Sequence, residues 1–300
     1  MKNTVERSYI LAQLYSTHFG WPLKPIYAYE SEMVASSVLI KHCEQASNCH
    51  ISSRAHFSHI TMGSSEERER TISYTVNSAR KDNRLYIGQD VSMQGVKFSF
   101  NKGNQNLVII DDGVNLNQLS ISFKGDNNLL YIGPMTSFGS GNISVGENNQ
   151  MVIIGAECMI SSRVMLDTTD SHSIYDIISG QRVNQSRSVV VSPKVWLGRD
   201  VRVNKGAFIG RETVVGQGSL VSGCLKSNSV YAGCPARQLK SDVTWSRMPS
   251  QSLAEMEQSQ RHKRYLERKN VLLSKCFENH FQRSPKSFND RLSKQVYIGR

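Results

Sequence analysis

The chain has 300 residues and a formal net charge of +11, from 36 basic and 25 acidic side chains. No stretch approaches the roughly 20 consecutive apolar residues of a membrane-spanning helix, and the first 20 residues lack the apolar run of a signal peptide. The six cysteines are scattered and do not form a disulfide framework. Composition therefore disfavours membrane and secreted proteins and predicts a cytoplasmic protein with reduced thiols.

Residues 1–84 carry no regular repeat and are expected to form a mixed α/β extension. Short helices are expected at 9–19 and 31–43, and the charged stretch 64–83 is expected to be a loop or hairpin. The segment 42–59 holds two cysteines, Cys43 and Cys49, and four histidines, but their spacing matches no paired zinc motif. We therefore expect no metal here.

A longer repeat begins after residue 84. Three segments rich in Gly and Asn, 103–107, 125–129 and 146–150, each precede an apolar strand. Their spacings of 22 and 21 residues equal one 18-residue coil of a β-helix plus a few residues in a turn. Gly and Asn tolerate the unusual backbone angles of such turns. The repeat predicts a corner at which turns from successive coils stack.

Every sixth residue from 191 to 221 is aliphatic, with small or turn-forming residues between. The positions are Val191, Leu197, Val203, Ile209, Val215 and Val221. A helix repeats near 3.6 residues and a strand at two, so a strict period of six fits neither. It is typical of a parallel β-helix in which three hexapeptides close a triangular coil. The sequence predicts an all-β core over residues 85–238.

The six-residue period also runs through Ile154, Ile160 and Leu166, breaks at 167 and resumes at 191. We expect a loop of about two dozen residues there, and a long loop in a regular fold is often functional. It contains His172, the only histidine between residues 59 and 262. An imidazole can take a proton from a hydroxyl near neutral pH, and Asp170 or Asp176 would orient its ring.

Residues 239–300 predict a basic and mainly helical extension that would cover the open end of the coil. The last forty residues hold eleven basic and three acidic side chains, a net charge of +8. Such a segment is either a solvated helical face or a contact for an anionic partner. A membrane surface or an acidic glycan is the favoured partner, and nucleic acid is not expected.

Four motifs occur in a fixed order: Asp-Ser-His at 170–172, Val-Trp-Leu-Gly at 195–198, Gly-Gln-Gly-Ser at 216–219 and Gly-Cys-Pro-Ala-Arg at 233–237. Together they resemble the hexapeptide-repeat O-acetyltransferases of sugars, antibiotics and bacterial surface polysaccharides. The resemblance covers about 154–245, under a third of the chain. It implies a left-handed parallel β-helix, a homotrimer, and acetyl-CoA meeting the acceptor between subunits. The left hand rests on this resemblance alone, since ordinary crossovers are right-handed.

The resemblance also implies roles for individual residues. His172 would be the general base, oriented by Asp170, and Trp196 would line the site. Arg237 and Lys240 would pair with the phosphates of the cofactor. The residues that would border its pantetheine groove are Gly198, Gly216, Gly218, Ser219 and Ser222. The family's usual Thr-Lys after the last hexapeptides is Ser-Gly at 222–223 here, so that lysine contact is missing or supplied by Lys226. No metal is expected.

The predicted function is acetyl transfer from acetyl-CoA to a hydroxyl of a bacterial surface glycan, capsule or O-antigen, free or lipid-linked. No cysteine lies beside His172, so direct attack in a ternary complex is expected. The basic tail suits a cytoplasmic enzyme at the inner face of the membrane.

Three alternative functions make different demands on the sequence. One is acetyl transfer to a small molecule, such as a sugar or antibiotic, and another is a non-catalytic β-helix used for binding or assembly. A γ-type carbonic anhydrase needs three histidine ligands, but the predicted β-helix holds one histidine.

Overall fold

The computed structural model describes residues 59–62, 72–77, 83–87, 91–100, 102–111, 113–249 and 252–254. The described strands of the first coils are β1 (His59–Met62), β2 (Ile72–Asn77), β3 (Arg84–Ile87), β4 (Ser92–Ser99), β5 (Leu107–Ile110), β6 (Asn115–Asn117), β7 (Leu119–Phe123), β8 (Leu129–Ile132), β9 (Ser137–Phe138) and β10 (Gly141–Val145). Those of the later coils are β11 (Met151–Ile154), β12 (Met159–Ile160), β13 (Val164–Asp167), β14 (Val189–Val191), β15 (Trp196–Leu197), β16 (Arg202–Val203), β17 (Phe208–Ile209), β18 (Val214–Val215), β19 (Leu220–Val221), β20 (Cys224–Leu225), β21 (Val230–Gly233) and β22 (Ala236–Lys240).

The strands form three parallel faces of a triangular solenoid. The first face stacks β1-β3-β5-β8-β11-β14-β17-β20. The second stacks β6-β9-β12-β15-β18-β21, and the third stacks β4-β7-β10-β13-β16-β19. The long strand β4 pairs with both β6 and β7, which joins the second and third faces. From β5 to β19 each coil contributes one strand to each face, so the predicted parallel β-helix is confirmed.

The register of these pairs measures the length of each coil. Leu107 pairs with Leu129 and Leu129 with Met151, so these coils take 22 residues. Val190 pairs with Phe208, so the later coils take 18. The predicted 18-residue coil with extra turn residues in its earlier copies is therefore confirmed.

The interior of the solenoid is one continuous apolar core. All six aliphatic positions of the hexapeptide run are at most 1% exposed, as their spacing predicts. The earlier, wider coils hold large side chains, and the rings of Phe100 and Phe123 stack with centroids 4.8 Å apart. Burial of aliphatic and aromatic side chains on this scale is the main force that holds the coils together.

A ladder of buried amides runs along the corner that the Gly- and Asn-rich repeat predicts. The side-chain oxygen of Asn83 accepts from the backbone N–H of Asn106 at 3.0 Å. Asn106 does the same for Asn128 at 2.9 Å, and Asn128 for Gln150 at 2.7 Å. Each bond satisfies a backbone donor that the wider turn would otherwise leave unpaired. The prediction of stacked turns is confirmed.

One expectation at the start of the solenoid was wrong. The stretch 64–83 is not only loop or hairpin, because residues 72–77 form strand β2, parallel to β4. Its alternating Ile72, Tyr74 and Val76 are a β pattern that the neighbouring charges obscure. The expected helices at 9–19 and 31–43 and the cysteines Cys43 and Cys49 lie outside the described residues. Of the expected C-terminal helix only residues 252–254 are described. The boundaries at 84 and 239 stay predictions.

The described residues contain no helix that is both long and apolar enough to cross a membrane.

Candidate active site

The predicted long loop is present and occupies residues 168–188, between β13 and β14. Val152 pairs with Val189, 37 residues later, whereas the following coils repeat every 18. The loop therefore adds 19 residues without disturbing the register on either side. It leaves at the corner between the third and first faces, because β13 lies on the third face and β14 on the first.

Both ends of the loop are bonded to the coil before it. The hydroxyl of Thr168 accepts from Gly146 N at 2.8 Å. The hydroxyl of Ser188 accepts from Met151 N at 2.9 Å. Arg187 N donates to Thr168 O at 2.9 Å and closes the base of the loop. The loop thus has a fixed entry and exit.

The outer part of the loop is a short hairpin. Tyr175 and Arg182 form an antiparallel bridge. In the turn, the Asp176 carboxylate accepts from Ser179 N at 2.7 Å and from Ile178 N at 3.1 Å. These bonds to backbone N–H groups, that of Ser179 foremost, hold the pKa of Asp176 below its usual value. Asp176 therefore closes the hairpin turn and does not bond the His172 ring.

His172 lies at the base of this hairpin, exposed to solvent. Its carbonyl oxygen accepts from Asn184 Nδ2 at 2.8 Å, so its backbone is held. The preceding Ser171 has a left-handed φ of 66°, and its N–H donates to Thr169 Oγ1 at 3.1 Å. The ring itself bonds to none of the described residues. A fixed backbone with an exposed imidazole suits a base that must meet an incoming hydroxyl.

Asp170, predicted to orient that ring, is engaged elsewhere in the single chain. Its carboxylate accepts from Lys205 Nζ and, at 2.8 Å, from Asn184 Nδ2. The hydrogen bond from Lys205 is the main cause that lowers the pKa of Asp170. Lys205 follows β16 on the next coil, so this pair ties the loop forward along the solenoid. A role for Asp170 at the imidazole stays a prediction.

A second ion pair ties the loop backward. Arg182 donates to Glu147, which stands at the corner after β10. The bond from Arg182 is the largest cause that lowers the pKa of Glu147, and Glu147 in turn raises the pKa of Arg182. Thr169 Oγ1 also donates to Glu147 at 3.2 Å. The loop is therefore held to the coil before it and the coil after it.

Trp196 lies on the outer side of β15, on the second face, and is 37% exposed. Its strand neighbours are Met159 and Val214, both half-buried, so the three form an apolar stripe along this face. Trp196 is not a core residue of the solenoid. The second face is opposite the corner that carries the His172 loop, so one chain does not bring Trp196 and His172 together.

The glycines of the predicted cofactor groove are required for different structural reasons. A Cβ at Gly198 would come within 2.6 Å of Gln217 N, and one at Gly216 within 3.0 Å of the Ala232 Cβ. Close stacking of coils therefore accounts for Gly198 and restrains Gly216. Gly218 has a φ of +69° and open space around it. Its conformation, and not crowding, requires a glycine there.

The two predicted serines are already bonded within the coil. Ser219 is buried, and its hydroxyl donates to Gly216 O at 2.7 Å and accepts from Gly233 N at 3.1 Å. Ser222 is exposed and accepts from Asn204 Nδ2 at 3.0 Å. Their contact with a cofactor stays a prediction, and Ser219 has a structural role as well.

Arg237 and Lys240 lie on β22, which pairs antiparallel with β21 at the end of the solenoid. Both side chains are exposed. Neither forms an ion pair with a described residue. The structure places both on one strand, and their contact with the cofactor phosphates stays a prediction.

Four residues that hold the loop were missed by the sequence analysis: Glu147, Arg182, Asn184 and Lys205. They are 2 to 58 residues apart and share no period. One signal was present, because the 22-residue register places Glu147 level with Gly103 and Gly125 of the two earlier coils. Its longer side chain reaches the loop.

Within the described ranges, no group of three His, Cys, Asp or Glu side chains is placed to hold a metal ion.

No protein-family model matches the chain. It is 32% identical over 120 residues to a polysialic acid O-acetyltransferase of Neisseria meningitidis, covering 40% of this chain and 54% of that protein. It is 41% identical over 116 residues to one of Escherichia coli O1:K1, covering 39% of this chain and 38% of that protein. The chain thus spans about half or less of these two relatives.

A third relative is covered more fully. WbbJ of Escherichia coli K12, whose name assigns it to lipopolysaccharide biosynthesis as an O-acetyl transferase, is 33% identical over 144 residues, 41% of this chain and 73% of WbbJ. Among solved structures, the polysialic-acid-specific acetyltransferase NeuO matches with a TM-score of 0.53 and 29% identity, over 65% of this chain and 90% of NeuO. The polysialic acid O-acetyltransferase OatWY matches with a TM-score of 0.52 and 27% identity, over 63% and 95%.

The solenoid, the order of its motifs and these matches lead to one conclusion. The chain belongs to the hexapeptide-repeat O-acetyltransferases, enzymes built on a left-handed parallel β-helix.

Proposed function

We propose that this chain moves an acetyl group from acetyl-CoA to a hydroxyl of a bacterial surface glycan. The observation that carries the proposal is the exposed imidazole of His172 on a loop whose backbone is pinned to the coils. Two relatives named as polysialic acid O-acetyltransferases support an acidic capsule glycan as the acceptor class. Polysialic acid is therefore the first acceptor to test, and an O-antigen sugar is the second.

The chemistry needs one proton acceptor. His172 takes the proton of the acceptor hydroxyl as the oxygen attacks the thioester carbonyl. The tetrahedral intermediate then collapses, its C–S bond breaks, and the CoA sulfur leaves with the proton from the imidazolium. Among the described cysteines, Cys158 is buried, and the other two, Cys224 and Cys234, belong to the last coils. This arrangement favours direct transfer in a ternary complex over an acyl-enzyme.

The cofactor is proposed to lie along the second face. Gly198, Gly216 and Gly218 keep its surface free of bulk, and the exposed Arg237 and Lys240 would meet the CoA phosphates at its end. Ser219 would contribute through its backbone, since its hydroxyl is bonded within the coil.

The site is proposed to form between subunits of a homotrimer. His172 and Trp196 belong to opposite sides of one solenoid, so a second copy is needed to join them. The hairpin that carries His172 also ends in Ile177 and Ile178, which are 97% and 98% exposed in the single chain. Contact with the second face of a neighbour would remove this apolar surface from water. Action at the inner face of the membrane stays a prediction, because the basic residues 261–300 lie outside the described ranges.

The test measures CoA release with acetyl-CoA and polysialic acid, O-antigen fragments or free sugars as acceptors. His172→Ala should lower the rate by roughly 10²–10⁴-fold, and Ser173→Ala is the neighbouring control. Trp196→Ala should also lose most activity. Co-expressed His172→Ala and Trp196→Ala chains should regain about a quarter of wild-type activity, because a random trimer pairs an intact loop with an intact face at one site in four.

Activity of His172→Ala within about threefold of the wild type would refute the general base. A mixture no more active than its components would refute the shared site.

A further inference from the structure

The loop contains a buried asparagine that belongs neither to the six-residue repeat of the coils nor to the Asp-Ser-His motif. Asn184 is 8% exposed, in a loop whose other members are mostly exposed. We infer that Asn184 is the residue that positions the segment carrying the general base, and that acetyl transfer depends on it. This inference rests on the proposed function of His172.

The side-chain amide of Asn184 bridges the backbone on both sides of Ser173. Its Nδ2 donates to His172 O at 2.8 Å, and its Oδ1 accepts from Ile174 N at 2.7 Å. A residue in a parallel β-strand bonds its neighbour in the same way, to the carbonyl before and the N–H after the facing residue. The amide therefore substitutes for a strand at a place where the loop has none.

The remaining capacity of the amide is also used. Nδ2 donates to Asp170 Oδ2 at 2.8 Å, and Oδ1 accepts from Arg182 Nε at 3.2 Å. An asparagine side chain has two donor hydrogens and two acceptor lone pairs, so all four are filled. A fully satisfied, buried amide has a single favourable orientation. It can therefore fix the backbone to which it is bonded.

The main chain of Asn184 is tied to the solenoid. Its carbonyl oxygen accepts from Lys205 Nζ at 2.9 Å and from Arg182 Nη2 at 3.2 Å. Lys205 belongs to the coil after the loop, and Arg182 is paired with Glu147 on the coil before it. Asn184 thus links the backbone of His172 to both coils and fixes its position relative to them.

Positioning of this kind affects the rate more than the binding of either substrate. The exposed imidazole has no described partner of its own, so its place is set by the backbone that Asn184 holds. A displacement of about 1 Å in a reacting group can cost up to about 100-fold in rate. The acetyl-CoA site proposed along the second face lies on the opposite side of the chain. Among the described residues, those proposed to bind acetyl-CoA form no hydrogen bond with Asn184, so the affinity for acetyl-CoA should change little.

The test uses two substitutions that remove different parts of the amide. Asn184→Asp keeps the acceptor for Ile174 N–H but replaces the donor to His172 O and Asp170 by a charged oxygen. Asn184→Ala removes both. Gln185→Glu and Gln185→Ala are matched controls, since Gln185 is exposed and, within the described part of the chain, its side chain bonds only Arg182 O.

Both Asn184 variants should lower kcat about 10- to 100-fold, with the acetyl-CoA KM within about twofold of the wild type. Both Gln185 variants should stay within about twofold in kcat and KM. Hydrogen exchange gives a readout independent of activity. The Ile174 amide should exchange faster in Asn184→Ala and remain protected in Asn184→Asp. Since Asn184 lies outside the solenoid core, the thermal midpoint should barely move.

Equal kcat values in the Asn184 and Gln185 variants would overturn the inference. So would a loss that falls on the acetyl-CoA KM alone, or unchanged exchange at Ile174 in Asn184→Ala. His172→Ala in the same assay separates the two ideas. If the wild type transfers no acetyl group, or His172→Ala is fully active, the proposed function fails. Hydrogen exchange still decides whether Asn184 holds the 172–174 backbone.

Discussion

The coils and the loop that leaves them are stabilised by different interactions. A coil is held by buried aliphatic side chains and by backbone bonds to the coils on either side. The loop buries little apolar surface, exposes Ile177 and Ile178, and is held by a few polar side chains around Asn184. Many similar contacts stabilise each coil. The loop is held by a few hydrogen bonds and ion pairs that have no duplicate, so substitutions there should alter function without unfolding the protein.

The largest effect should follow a change inside the coil. Leu166 is fully buried on β13, directly before the loop. Leu166→Ala should destabilise the protein by about 2–5 kcal/mol, because it leaves a cavity in a close-packed interior. Chemical denaturation followed by circular dichroism measures this loss.

Met165 gives the matched control for that experiment. It is the preceding residue on the same strand, lies on the outer side and is half-buried. Met165→Ala should cost less than about 1 kcal/mol. Equal stability of the two variants would show that buried apolar side chains are not the main source of stability of the coils.

A smaller effect, confined to binding, should follow changes at the end of the coil. If the loop carries the chemistry and the coil binds the cofactor, Arg237→Ala with Lys240→Ala should raise the acetyl-CoA KM about tenfold. The kcat and the acceptor KM should change little, as expected when an interaction is equal in ground and transition states. Steady-state kinetics with both substrates varied will separate these parameters.

Two comparisons sharpen that test. Lys97→Ala with Lys102→Ala removes the same charge from exposed lysines of an earlier coil and should leave the KM unchanged. With a 3′-dephospho-CoA thioester the loss should shrink, because one phosphate partner is already absent. An equal loss with both thioesters would show that neither cation meets the 3′-phosphate.

The smallest effect should be the acid dependence of the loop. The pKa values of Glu147 and Asp170 are lowered chiefly by the hydrogen bonds from Arg182 and Lys205, respectively. A carboxyl with a lowered pKa stabilises the folded form above its unfolded pKa, and this contribution is lost as the pH falls through its folded pKa. The loop should therefore stay tied at neutral pH and loosen only below about pH 4.

Hydrogen exchange of the loop amides, corrected for the intrinsic effect of pH, measures this release. Glu147→Gln should weaken the protection of the loop amides only a few-fold at neutral pH, because the ion pair is partly exposed. Their protection should also decline less steeply in acid, because this variant has no carboxyl to protonate at position 147. Asp200→Asn, which breaks an exposed ion pair with Arg163 elsewhere on the coil, is the control. If protection in Glu147→Gln fell in acid as steeply as in the wild type, protonation of Asp170 alone would account for the release of the loop.

The regular part of the molecule follows directly from the sequence. A strict period predicts which residues face inward, and Val191, Leu197 and Val203 are buried as expected. The same period located the long loop, because only an insertion interrupts it. Whether a side chain faces the interior of a coil depends on its place in the six-residue repeat, and this repeat can be read from a single sequence.

The contacts of the loop could not be predicted in this way. Asn184 bonds backbone atoms 10 and 12 residues earlier, and Lys205 reaches Asp170 across 35 residues. These partners meet only because two coils stack above and below the loop, a relation that has no period in the sequence. Asp170 and His172 were identified by a motif, but the residues that hold them were not.

The amide ladder has a direction, and this direction has a consequence for how the chain folds. In each step, the side-chain oxygen of an earlier coil accepts a backbone N–H of the coil that follows it, from Asn83 to Gln150. A completed coil therefore offers a template to the next one, in the order in which a ribosome delivers them. We expect assembly to advance as a zipper from the amino-terminal coils. The His172 loop, closed by Ser188 against Met151 just beyond the last amide, would then become ordered only after the coils of the ladder have formed.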